Sequence, residues 1–147
     1  MAIRDLLNWT LFQILIGNSD AHGKNISFFV GKAGIDVAPG YDLLNIDIYG
    51  DEFERDLAMA VGDEFVAEKV MAYDLAEFCD ASKLPPRQMA TSLKNLCTAA
   101  IGRMGSLPLG DVRSGEEMDF ARNLIEKIKG NAERFQAIAG ELPHVRL

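Results

Sequence analysis

Eight residues near the front of this chain restrict what it can become. Asn18-Ser-Asp-Ala-His-Gly-Lys-Asn25 carries six polar side chains and lies between two apolar stretches of different period. Before it, Leu7, Leu11, Ile14 and Leu15 recur at helical spacing within residues 4–17. After it, Ile26-Ser-Phe-Phe-Val30 and Gly34-Ile-Asp-Val37 are β-prone runs around Gly31-Lys-Ala-Gly34, which is a hairpin signal. A helical stripe cannot run on as a strand, so the octet must be the turn between them. Gly17 and Asn18 tolerate a left-handed backbone and supply the helix stop. A polar turn held between two apolar elements is where functional side chains collect.

Downstream, Ala38-Pro-Gly40 breaks the second strand. A further hairpin is expected from Leu57-Ala-Met-Ala-Val61 to Glu64-Phe-Val-Ala67 through Gly62-Asp63. The remainder reads as helix. One spans Val70 to Ala81, and a second runs from Pro85 to about Met104, with its prolines tolerated in the first turn. Met89, Leu93, Leu96 and Ala100 give the second helix its inward stripe. Ser114 with Glu117 forms a capping box for a last helix. Its buried face is expected at Ala121, Leu124, Ile125, Ile128, Ala132, Phe135 and Ile138. Trp9, Phe12, Phe28 and Phe29 read as core rather than as a ligand platform. The fold class is mainly α with one or two small β-hairpins.

Asp20 and Asn25 stand at the Asp-x-x-x-x-Asn spacing of a kinase catalytic loop. In such loops the Asp orients or deprotonates the attacking hydroxyl and the Asn ligates Mg²⁺. A neutral amide oxygen binds the hard cation without adding charge. A second carboxylate is then needed on the metal's far side. Asp42 follows Asp20 after one predicted hairpin. The spacing alone is weak, because Asp and Asn also satisfy backbone donors in ordinary turns. Helix, loop, hairpin and second Asp in that order are more specific.

The segments Ile16-Gly-Asn-Ser-Asp-Ala-His-Gly-Lys-Asn-Ile-Ser-Phe28 and Val37-Ala-Pro-Gly-Tyr-Asp-Leu-Leu44 resemble the signature segments of HipA-like serine/threonine kinases, the toxins of type II toxin–antitoxin systems. Asp56-Leu-Ala-Met-Ala-Val-Gly62 and the Leu84-Pro-Pro-Arg87 turn extend the likeness over most of the chain. The resemblance implies the C-terminal lobe of a protein-kinase-like fold over residues 1–147. It implies Asp20 as catalytic base, Asn25 and Asp42 as ligands of Mg²⁺ serving ATP, and His22 and Lys24 as residues near the phosphates or orienting Asp20. It also implies a helix-turn-helix antitoxin as partner. The chain contains no Gly-x-Gly-x-x-Gly loop and no Val-Ala-Ile-Lys strand. The expectation is therefore an absent N-terminal lobe, on a separate chain or removed, and little or no activity in isolation. The alternative is a non-catalytic protein that binds an antitoxin or a kinase. An absent lobe would leave the face around Leu6 to Phe12 partly uncovered, with self-association as one outcome.

Charge narrows the partners. Fifteen basic against 22 acidic residues give a net charge of −7, the wrong sign for direct nucleic-acid binding. Thirteen carboxylates and only two cations, Arg55 and Lys69, lie between Asp36 and Asp80. That density suits a solvated face or a dock for a basic partner. Cys79 and Cys97 fit neither a disulfide framework nor a metal site and read as small core residues. The apolar run from Leu6 to Gly17 is interrupted by Asn8, Thr10 and Gln13. It is too short to span a bilayer and lacks a leader's cleavage signal, so the expected location is cytoplasmic, away from the membrane.

Overall fold

The computed structural model of the protein describes residues 2–110 and 115–147. Four helices and two antiparallel hairpins follow the expected order. Helix α1 spans Ala2–Ile16, and the hairpin of β1 (Phe28–Gly31) and β2 (Gly34–Val37) comes next. A second hairpin pairs β3 (Asp56–Val61) with β4 (Glu64–Val66). Helices α2 (Ala72–Ser82), α3 (Pro86–Met104) and α4 (Glu116–Glu141) complete the chain. Ser114 of the expected capping box lies outside the described residues.

The core joins all four helices with β3. Leu7, Leu11 and Leu15 of α1 meet Leu75 and Cys79 of α2, Met89, Leu93 and Cys97 of α3, and Ala132 and Phe135 of α4. Burying each of the larger side chains stabilises the fold by about 1.5–3 kcal/mol. Helix α1 enters this core at a slant. Its first residues Ile3 and Arg4 are exposed, whereas Gln13 to Ile16 are all buried. The polar octet therefore begins where the helix is deepest.

Three expectations need correction. Phe28 and Phe29 are 49% and 64% exposed, not core. The register pairs Phe28 with Val37 and Val30 with Ile35, so one face of the hairpin is wholly apolar; Val37 is half-buried beside α1, while Phe28, Val30 and Ile35 stay exposed. On α4, Ala121, Leu124 and Ile125 are only half-buried, while Ile128, Ala132, Phe135 and Ile138 are buried as expected. The first turns of α4 extend past the core that its later turns fill. On α3, Leu96 is half-buried and its neighbour Cys97 is completely buried, because the inward stripe passes through position 97.

Gly62 closes the second hairpin at φ +61° against α2. A Cβ there would lie 2.7 Å from the Asp74 carbonyl oxygen, so the turn and helix can approach only with glycine between them. On the other side of α2, Arg134 of α4 donates from its guanidinium to the carbonyls of Ala67, Glu68 and Val70, satisfying the segment that leads into α2. Burial lowers its pKa from the ordinary arginine value. The guanidinium also lies 4.2 Å from the Phe135 ring centroid.

Candidate active site

The site starts with the way α1 ends. A helix leaves its last four carbonyls without intrahelical partners, and here each is satisfied by a different group. Asn18 N–H donates to the Gln13 carbonyl (2.9 Å) and Gly17 N–H to that of Ile14 (3.2 Å). With Gly17 at φ +75°, this is a Schellman termination. Asn131 Nδ2 of α4 donates to the Leu15 carbonyl at 3.3 Å, and Asn45 Nδ2 to that of Ile16 at 2.6 Å. Asn45 Oδ1 in turn accepts from Ile48 N–H, and Ile46 N–H donates to the Gly17 carbonyl. The segment following the first hairpin is thus pinned to the end of α1.

The octet is held from both sides. Asn18, 3% exposed, spends both amide hydrogens, one on Gln13 Oε1 (2.8 Å) and one on the Asp42 carbonyl (2.9 Å). Ser19 accepts Ala58 N–H through its carbonyl and donates its hydroxyl to the Glu54 carbonyl, so β3 hangs from the loop. Residues Gly23–Asn25 form a 3₁₀ turn, with Asn25 N–H donating to the His22 carbonyl. Asn25 Oδ1 accepts His22 N–H at 3.3 Å.

These constraints bring two of the sequence-selected residues together. Asn25 Nδ2 donates to Asp42 Oδ2 at 2.6 Å, although 17 positions separate them. Asp42 holds a left-handed backbone, φ +55°, which is uncommon for a residue with a side chain but tolerated by Asp. Tyr41 beside it donates its hydroxyl to the Lys24 carbonyl at 2.8 Å and lies 3.1 Å from Ser27 Oγ. One loop is thereby tied to the other across the hairpin.

Asp20, His22 and Lys24 are placed differently. Asp20 is exposed and makes no hydrogen bond or ion pair among the described residues. It opens onto a cleft bordered by Ile46, Phe53, Glu54, Asp56 and Phe65, so three carboxylates and two aromatic rings share that hollow. Lys24 is exposed, and only its carbonyl is engaged. His22 is half-buried, with Nδ1 shielded from solvent and unpaired. Asn18 Oδ1, Gln13 Nε2 and Trp9 Nε1 are likewise buried without a partner. These four atoms have no hydrogen-bond partner within the protein itself.

Gln13, Asn45 and Tyr41 are site-building residues that spacing did not single out. Gln13 was legible only as a polar interruption of the apolar run. Tyr41 lies inside the segment that resembles the family but was given no role there, and Asn45 carried no signal beyond its closeness to Asp42. No cluster of three or more His, Cys, Asp or Glu able to hold a metal ion occurs among the described residues. Asn25 and Asp42 can each offer an oxygen, although Asn25 as placed turns its Nδ2 toward Asp42. An oxygen pair suits a hard cation that keeps several waters and takes its other ligands from phosphates.

A helix ending in a polar turn, a hairpin, and a returning carboxylate that meets the turn's asparagine is the element order of a protein-kinase-like lobe. Comparison with known proteins narrows this class. Residues 1–104 match the family model for the HipA-like C-terminal domain, and the chain belongs to that family. It is 46% identical to the serine/threonine-protein kinase toxin HipA of Shewanella oneidensis, over 99% of this chain and 34% of that protein. Among solved structures, a chain of the Shewanella oneidensis MR-1 complex of HipA, HipB and operator DNA superposes with a TM-score of 0.89 at 34% identity. That match covers 98% of this chain and 34% of the other. The chain thus spans about a third of the length of the relatives it matches. No helix among the described residues is long and apolar enough to cross a membrane.

Proposed function

We propose that residues 1–147 form the C-terminal catalytic lobe of a Mg²⁺- and ATP-dependent serine/threonine protein kinase, with Asp20 as the base. The observation that carries the reading is the 2.6 Å contact between Asn25 and Asp42 beside a loop that also presents Asp20 to an open cleft. Asn25 and Asp42 are the residues that would hold Mg²⁺. When bound, the ion would neutralise charge on the phosphates of ATP. In the structure Asn25 turns its amide hydrogens toward Asp42 and its oxygen toward His22 N–H. Acting as a ligand means offering the oxygen to the Asp42 side, which gives up the His22 contact. Asp20 sits free of protein partners, as a group awaiting a substrate hydroxyl should. His22 and Lys24 flank it on the same turn and supply a ring nitrogen and an ammonium for the phosphate side of the reaction.

Phosphoryl transfer depends on positioning and electrostatics more than on covalent steps. With no Gly-rich phosphate loop in the sequence, residues 1–147 supply only part of that positioning, so turnover by them alone should be very slow or absent. The working unit in this reading lies in the cytoplasm and includes N-lobe elements. It is restrained by an antitoxin, as the solved complex of HipA with HipB suggests by analogy. Reconstitution with the N-lobe portion of a relative tests the assignment. Asp20→Asn should lower kcat by about 10²- to 10⁴-fold. Activity within about threefold of the parent would sink the role of Asp20. If the reconstituted complex shows no thermal shift with ATP and Mg²⁺, the alternative stands: a lobe that binds an antitoxin or kinase without catalysis.

A further inference from the structure

Residues 39–45 carry Asp42 back to the octet without a backbone–backbone hydrogen bond of their own among the described residues. Upstream, the last such bond runs from Ala38 N–H to the Ser27 carbonyl at the foot of the first hairpin. Downstream, the next runs from Ile46 N–H to the Gly17 carbonyl. A stretch of this kind takes its course from side chains. Three contacts join the octet to Tyr41 and Asp42. Asn18 Nδ2 donates to the Asp42 carbonyl at 2.9 Å from the buried side. Tyr41 donates its hydroxyl to the Lys24 carbonyl at 2.8 Å from the exposed side. The third is the 2.6 Å bond from Asn25 to the Asp42 carboxylate. A tyrosine hydroxyl has one hydrogen, so with that hydrogen on Lys24 the Ser27 hydroxyl, 3.1 Å away, donates to Tyr41 in turn.

These three contacts are not equivalent. To offer its oxygen to a cation held by Asp42, Asn25 must withdraw the Nδ2 hydrogen that now binds the carboxylate. The pair therefore loses its own bond in the state that would bind the metal. What then holds Asp42 opposite Asn25, at φ +55°, is Asn18 on one side and Tyr41 on the other. We infer that Tyr41, together with Asn18, is a positioning residue for the metal-binding pair: the two keep Asp42 in place when the Asn25–Asp42 bond is released. The inference rests on the proposed Mg²⁺ roles of Asn25 and Asp42 and adds the residues that preorganise them. The base has a separate support. Asp20 follows Ser19, which is fastened to β3 through Ala58 N–H and to the Glu54 carbonyl, and neither contact involves Tyr41. Loss of the Tyr41 strap should therefore show in metal dependence first.

Tyr41→Phe removes one exposed hydroxyl and keeps the ring, so the fold should persist. In the enzyme reconstituted with the N-lobe portion of a relative, nucleotide binding is titrated with Mg²⁺. The Mg²⁺ concentration at half-saturation should rise about three- to tenfold, the range set by one net hydrogen bond. ATP affinity at saturating Mg²⁺ should stay within about twofold. Thr91→Ala is the matched control, since the Thr91 hydroxyl also donates to a backbone carbonyl at 2.8 Å, that of Arg87 on α3. It should leave the titration unchanged. In the chain alone, without nucleotide, hydrogen exchange at the Asn25 side-chain amide should quicken about threefold or more in Tyr41→Phe. Asp42→Asn in the same titration separates the two readings. If it abolishes the Mg²⁺ dependence while Tyr41→Phe shifts the midpoint less than about twofold, the inference is overturned and the kinase reading stands. If Asp42→Asn leaves the Mg²⁺ dependence intact, the pair holds no metal and both fall. An ATP affinity that drops as far as the Mg²⁺ midpoint rises, an equal shift from Thr91→Ala, or unchanged exchange at Asn25 would each make Tyr41 a structural residue only and overturn the inference.

Discussion

Asp42 brings together an unfavourable backbone and a demanding partner. Its φ of +55° is tolerated best by Asn, Asp and Gly, and its carboxylate answers a buried amide. Asp42→Asn should therefore hold the fold, with a melting temperature within about 2–4 °C of the parent, while Mg²⁺-dependent nucleotide binding in the reconstituted enzyme disappears. If binding survived, Asp42 would not be a metal ligand. Cys97 gives a prediction of another kind. Burial pushes its thiol up to about 11 from an ordinary 9.0, and burial raises Cys79 as well. A folded pKa above the unfolded one contributes stability that is complete below about 9 and lost as pH rises towards 11. The melting temperature should fall across that window, and less steeply in Cys97→Ala. Native protein at pH 8 should leave both thiols unreactive towards thiol reagents. At this scale the sequence could be read wherever chemistry dictated residue type. Asp20, Asn25 and Asp42 stood out because the proposed phosphoryl transfer needs an anion, an amide and a second anion. Gln13 and Tyr41 did not, since their value lies in contacts with residues far along the chain.

Elements were legible where local signals are strong. The helix stop at Gly17, the prolines opening α3 and the Gly62 turn each have a steric cause that needs no tertiary information. The exposure of Phe28 and Phe29 was not legible, because β propensity reports what suits a strand and not whether another layer will cover it. The slip from Leu96 to Cys97 on α3 arises from the helical period, where one residue of rotation changes which side chain faces α4. Gly62→Ala tests the tightest of these packings. It combines a positive φ with a backbone clash and should cost about 2–3 kcal/mol, or roughly 5–10 °C of melting temperature. A melting temperature within about a degree of the parent would mean that β3–β4 and α2 are not packed as described.

For the whole molecule, the kinase-like lobe is legible in the sequence, and the structural match agrees. The straps on Asp42 could not be read that way. Asn18 and Tyr41 reach partners 24 and 17 positions away, and no periodicity records such contacts. The four polar atoms without a partner within the protein are likewise properties of the assembled molecule. So is the clustering of carboxylates, since Glu54 and Asp56 join Asp20 in one cleft only because β3 is hung from Ser19.

The β1–β2 hairpin has a practical consequence. Each of its strands has one open edge, and Phe28, Val30 and Ile35 stand exposed on a single apolar face. Such a ribbon is a template onto which a strand from another chain can add, and Lys32 at the turn and Asp36 on the opposite face are its only charges. Preparations of this lobe by itself should lose soluble material on concentration by strand addition. Val30→Lys, which puts a charge on the open face at a residue 80% exposed, should slow that loss. Light scattering during concentration is the measurement, and equal rates for parent and variant would place the weak point elsewhere in the molecule.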